Sequence, residues 1–273
     1  MSEHKRMRSD RSQGENPRRH SQRAGQGQRD KKVRHDRSNP QRQGFREDRM
    51  AQKEREPDLP DDIDPADLDP SVLRDLRVLS KDNADRVAKH MIMAATLMAD
   101  DPQLALTHAR AAKNRAGRVG VVREAAGIAA YHAGEWKEAL SELRAARRMS
   151  NGPGLLAVMA DAERGLGRPE KAIEIGRSPE AKELDDESKV ELAIVVAGAR
   201  HDLGQHESAL ATLQPLNPTM DATDFSSVRL AYAYGDALQQ AGRSDEARAW
   251  FEHVVKVDHD ELTDAKQRLR ELK

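Results

Sequence analysis

The chain has 273 residues and sets 46 Lys and Arg against 47 Asp and Glu, for a formal charge of −1, with ten His and no Cys. The lack of Cys excludes a disulfide framework, a Cys-ligated zinc site, an iron–sulfur cluster and a thiol nucleophile, and it fits a reducing, cytoplasmic setting. No uninterrupted apolar stretch exceeds six residues, as at 192–197, against the roughly 18 that a membrane-spanning helix needs, and the N-terminus is charged where an export signal is apolar, so no membrane association is expected.

The near-zero charge hides two unlike halves. Residues 1–57 carry 13 Arg and four Lys against nine acidic side chains, a net +8, which leaves residues 58–273 at −9. Within 1–57 there is no hydrophobic period, and Val33 and Phe45 stand almost alone among Arg, Gln, Ser, Asp and Gly. Such a segment cannot bury enough apolar surface to offset the entropy of ordering, about 1–2 kcal/mol per residue, and a disordered basic tail is expected. Arginine-rich segments of this kind track phosphates without reading sequence, which points to weak nucleic-acid contact through residues 1–57; a tail that only solubilises is the competing reading. Residues 58–70 reverse the bias, with Asp at 58, 61, 62, 64, 67 and 69 and no basic side chain. They read as an acidic hinge.

From residue 71 the apolar spacing becomes helical, and Val72, Leu73, Leu76 and Leu79 share one face of a leading helix expected at 71–79. Downstream, no Asn-Gly or Asp-Gly joins alternating apolar runs and β-branched residues are scattered, so residues 71–273 are expected to form an all-α domain. With only three Phe, three Tyr and two Trp in the chain, its interior must be built from Ala, Leu, Val and Met, which favours close helices over a bulky aromatic core.

A phrase recurs along this domain, a Gly followed five residues later by an Ala: Gly134 and Ala139, Gly167 and Ala172, Gly204 and Ala209, Gly242 and Ala247. The alanines are 33, 37 and 38 residues apart, and Ala105, with Asp100 in the Gly slot, adds a copy 34 residues before Ala139. Each Gly suits the end of a helix, where positive φ is needed, and each Ala lets the next helix approach its partner closely. In the second copy Gly127 takes a small slot, Gly134 the turn and Trp136 an aromatic slot, followed by Ala139, Leu140, Leu143 and Ala146; the last copy has Tyr234, Gly235, Gly242, Ala247, Phe251 and Val254.

This pattern resembles the tetratricopeptide repeat over about residues 83–259. Arg outnumbers Lys 32 to 14, and with its abundant Ala the chain is similar to uncharacterised repeat proteins of high-GC bacteria. It departs from the family in having no early Trp in any copy, and the third copy weakens at Gly176 and Pro179, which makes 177–187 the irregular part of the register. The resemblance implies a right-handed α-solenoid of about five helix pairs, with capping helices at 71–79 and 260–271. It also implies a concave wall lined by the first helix of each pair, where a partner protein or peptide would meet His90, Glu124, Tyr131, Asp161, Arg164, His201, Arg229, Tyr232, Asp236 and Gln239. On that wall Arg164 and Arg229 would pair with an acidic partner, while Tyr131 and Tyr232 would either offer contact area or pack between helices. The chaperone-binding members of the family hold a terminal carboxylate with Lys and Asn where this chain has His90 and Ala94, so that ligand is not expected.

No phosphate loop, nucleophile elbow, dinucleotide fingerprint or His-Glu-x-x-His helix occurs. His201 and His206, five apart across Gly204, and His253 and His259, six apart, are poorly spaced for two ligands on one helical face, and surface roles rank above metal binding. No catalytic residue, cofactor or metal is expected. The function that follows is a non-catalytic scaffold that binds a partner protein or peptide in the groove. The alternative is an RNA- or ribosome-associated adaptor that uses the Arg-rich tail for phosphate contacts.

Overall fold

A computed structural model describes residues 56–272 apart from 151, 222 and 260, and the expected disordered tail lies outside the described residues except for Glu56 and Pro57. Among the described residues there are twelve α-helices, three short 3-10 helices and no strand. The helices are α1 (Pro70–Leu76), α2 (Lys81–Thr96), α3 (Pro102–Ala116), α4 (Gly120–His132), α5 (Trp136–Ser150) and α6 (Leu156–Gly165). They continue as α7 (Pro169–Gly176), α8 (Asp186–Asp202), α9 (His206–Leu213), α10 (Phe225–Gln240), α11 (Ser244–Val257) and α12 (Ala265–Glu271).

Local chemistry sets these boundaries. Asp69, Asp101, Asp185 and Asp224 cap α1, α3, α8 and α10, each accepting a bond from a backbone N–H in the first turn, and Pro at the first position of α1 and α3 gives up an N–H that would have no partner there. The four repeat glycines all take the left-handed conformation, with φ of 75° at Gly134, 69° at Gly167, 70° at Gly204 and 78° at Gly242. In each of these turns the next residue's N–H closes back five residues, from Glu135 to Ala130, Arg168 to Glu163, Gln205 to Arg200 and Arg243 to Leu238, at 2.8–3.0 Å. One helix-ending motif is thus used four times.

The alanines repeat as faithfully. Ala105, Ala139, Ala172, Ala209 and Ala247 are each the fourth residue of their helix, and all are 0% exposed. Packing joins each helix from α2 onward to the next, and it also joins α2 to α4, α4 to α6, α6 to α8 and α8 to α10. The apolar interior accordingly runs along the chain as successive clusters, from one around Leu76, Val87 and Val122 to one around Leu213, Leu238 and Phe251.

Two expected helix bounds shift, and the third copy is irregular where the sequence places the irregularity. The leading helix ends at Leu76, not at 79, because Arg77 and Leu79 bond three residues back in tight turns. The closing helix begins at Ala265, not at 260: the Asp258 carboxylate accepts from the Leu262 and Thr263 N–H groups and the Thr263 hydroxyl, which holds Leu262 and Thr263 back against the end of α11. In the third copy α7 is only eight residues long, and a 3-10 turn at Pro179–Glu183 follows it. Gly176 stands where an aromatic was expected because α7 and α8 meet there; a Cβ would lie 2.5 Å from Val196 Cγ2.

Candidate functional site

Because α4, α6, α8 and α10 pack in succession, side chains at matching turns of these helices meet across their junctions. The Tyr131 hydroxyl on α4 donates to Asp161 on α6 at 2.5 Å, and Arg164, one turn on, donates to Asp161 at 2.8 Å. Arg164 also reaches α8, where its Nε and Nη2 bond Asp202 at 2.8 and 3.2 Å. The guanidinium can lie on α8 because residue 198 is Gly; a Cβ there would sit 2.8 Å from Arg164 Cζ. From α10, Arg229 makes two bonds to Glu191 on α8, at 2.6 and 2.7 Å. The Tyr232 hydroxyl bonds Asp264 in the turn before α12, and Asp236 pairs with Arg268 of α12.

These contacts frame a cleft of about 410 Å³ between α6, α8, α10 and the turn before α12, and Arg164, His201, Arg229, Tyr232 and Asp236 all line it. Half of the ten residues expected on the wall therefore converge on one site. Tyr131 and Asp161 join it through Arg164. Glu124 lies seven residues before Tyr131 on α4, hence on the same face, half-buried, and burial raises its pKa. Gln239 is half-buried at the far end of α10, with Oε1 enclosed and without a hydrogen-bond partner among the described residues.

His90 is a correction. It is 0% exposed between α2 and α3, with Nδ1 3.0 Å from His108 Nδ1, so no partner reaches it. The expected freedom of the two arginines is the second. Arg164 and Arg229 already hold carboxylates of this chain, so an acidic partner would have to compete for them.

Both tyrosines pack and also present a polar end. Tyr131 lies edge-on to Trp136, with centroids 5.3 Å apart, and Tyr232 lies on Phe251 at 5.7 Å. Burial, then Asp264, pushes the Tyr232 phenol up to about 12, so it stays a donor at any physiological pH. His201 and His206, far from being separate surface groups, meet across the Gly204 turn with Nδ1 atoms 3.0 Å apart. Burial, then His206, lowers the His201 pKa, which favours the neutral ring. Among the described residues no group of three or more His, Cys, Asp or Glu is placed to hold a metal ion, and no helix is long and apolar enough to cross a membrane.

Sequence reasoning missed Leu262, Thr263 and Asp264, which close one side of the cleft. A signal for them is the Asp258–Thr263 spacing of a side-chain-capped turn, just where the closing helix is expected to begin. It also missed Phe225, which is 54% exposed at the start of α10 with the Arg229 guanidinium 5.6 Å above its ring, and Leu262, which is 57% exposed. Both give apolar contact area near the polar residues. No protein-family model matches the sequence, and no curated protein matches it either.

Proposed function

We propose that residues 70–272 form a right-handed stack of helix pairs of the tetratricopeptide type, and that the stack is a non-catalytic scaffold whose partner segment lies in the cleft between α6, α8 and α10. The observation that carries this reading is the convergence of Arg164, His201, Arg229, Tyr232 and Asp236, from three successive first helices, on one open cleft. Its side chains are held in place by bonds within the chain, so a partner binds without ordering them, which lowers the entropic cost of association. Phe225, Leu262 and the Tyr232 ring supply apolar contact beside polar groups that fix orientation.

Crosslinked capture tests the reading. Partners held by the wild-type chain should be lost from Tyr232→Ala and from Arg229→Glu, which sets a carboxylate against Glu191, by at least tenfold each, and kept after deletion of residues 1–55. Retention by both variants would remove the cleft from the proposal. The net +8 of residues 1–57 supports a second reading, an adaptor that touches RNA through its tail. That association should fall by orders of magnitude between 50 and 200 mM salt and vanish with the same deletion.

A further inference from the structure

The strap at residues 56–69 holds a polar constellation that the cleft does not use. Glu56 is separated from Arg115 by 59 positions in sequence, yet its carboxylate is only 6% exposed and takes two bonds from that guanidinium, at 3.0 and 2.5 Å. Arg115 is itself steadied by Asn83 of α2, at 3.3 Å. Beneath Glu56 lie His90 and His108, the two buried histidines at the α2–α3 interface; His90 Nε2 is 3.7 Å from Glu56 Oε2 and makes no hydrogen bond among the described residues. Downstream, the 3-10 turn Pro65–Asp67 packs on α2, and Leu68 packs against the cluster of Leu76, Val87 and Met91. The six Asp read from sequence as a hinge thus belong to a segment pinned at both ends.

We propose that Glu56 is a lock that fastens this strap over the first two long helices, and that protonation of the histidine pair beneath it releases the strap. The tautomers follow from the geometry. His90 Nε2 faces a carboxylate and so carries the hydrogen, its Nδ1 is then the acceptor, and the 3.0 Å contact requires His108 Nδ1 to donate. A further proton on His90 takes away that acceptor and leaves a buried imidazolium. The groups around it divide. Burial is the largest influence against the charge, His108, Arg115 and Arg86 also repel it, and Glu56 alone attracts it. Hydration relieves the charge, and withdrawal of Glu56, which faces His90 Nε2 at 3.7 Å, is the route by which water would reach it without parting α2 from α3. Withdrawal of the strap also uncovers the apolar cluster under Leu68, so mild acid exposes a surface at this end of the domain.

The chain has no Cys, so a nitroxide on Asp62→Cys labels the strap alone and one on Glu252→Cys, exposed on α11, reports the distant helices. With full-length protein taken from pH 7.5 to pH 5.0, the mobile fraction of the strap signal should rise on the order of tenfold or more while the α11 signal is unchanged, since an opened His90 regains an ordinary affinity for protons. Adding Glu56→Gln to the strap-labelled protein should make the strap mobile at both pH values, and circular dichroism should retain the helical signal. A strap signal that ignores pH, or that changes only together with the α11 signal, would overturn the proposal. If Glu56→Gln does not fold, the pH comparison on the wild-type background decides alone.

Discussion

Replacement of Phe251 by alanine should destabilise the protein by about 3–5 kcal/mol, enough to lower its melting temperature by many degrees. Phe251 is 0% exposed and is the largest fully buried side chain among the described residues. Tyr232 rests on one part of its ring, the Arg268 guanidinium lies 5.7 Å from its centroid, and a Cβ at Gly235 would be 3.2 Å from its Cε1. The surrounding interior, with Leu213, Leu238 and Val254 beside Ala231, Ala237 and Ala247, is held between packed helices and relaxes only partly into the cavity left behind. Since Tyr232 lines the cleft and rests on Phe251, partner binding should fall too. A thermal melt read beside the capture assay checks both effects, and a shift in melting temperature of only one or two degrees would contradict the packing described.

Acid should weaken the fold well before the carboxylates titrate. Burial, then His108, pushes His90 down to about 4, against about 6.5 for an unfolded chain. The native state therefore binds fewer protons. The stabilisation is complete above pH 6.5 and is lost as pH falls below it, at up to about 1.4 kcal/mol per pH unit for one histidine while the strap stays closed. His108 and His201, also lowered by burial, act in the same sense. Glu124, raised by burial, acts in the opposite one, because its proton is held more tightly in the folded state. Urea midpoints measured from pH 7.5 to pH 4.5 should decline from about pH 6.5, and His90→Leu should flatten the slope; a midpoint constant over that range would contradict the account.

How much of this was legible in the sequence depends on what kind of signal each part carries. The glycines and alanines were readable because backbone handedness and close approach allow few substitutes, so Gly134 and Ala139 announce a turn and a helix contact wherever they recur. The all-α composition followed from the same periodicity. The cleft was half legible, since a heptad register finds which face Arg229, Tyr232 and Asp236 share but not what already holds them. Asp264 and Glu191 lie 32 and 38 positions from the residues they bond, and a one-dimensional pattern has no record of such pairs. His90 was misplaced for the same reason: its position in a helix pointed to the wall, while His108, 18 residues away, buries it. The strap escaped notice because six Asp outweighed one Glu and two half-buried leucines, Leu59 and Leu68, the second of which packs on the apolar cluster of the first helices.

The central claim is that small residues at one position in successive second helices allow each helix pair to nest on its neighbours alone. Site-resolved hydrogen exchange on Ala209→Leu tests it most directly. Ala209 is 0% exposed and three extra carbons have nowhere to go, a strain of about 1–3 kcal/mol. The account predicts faster exchange in α8, α9 and α10, with α2, α3 and α4 unchanged. Equal acceleration in every helix, as a single cooperative bundle would give, would contradict it.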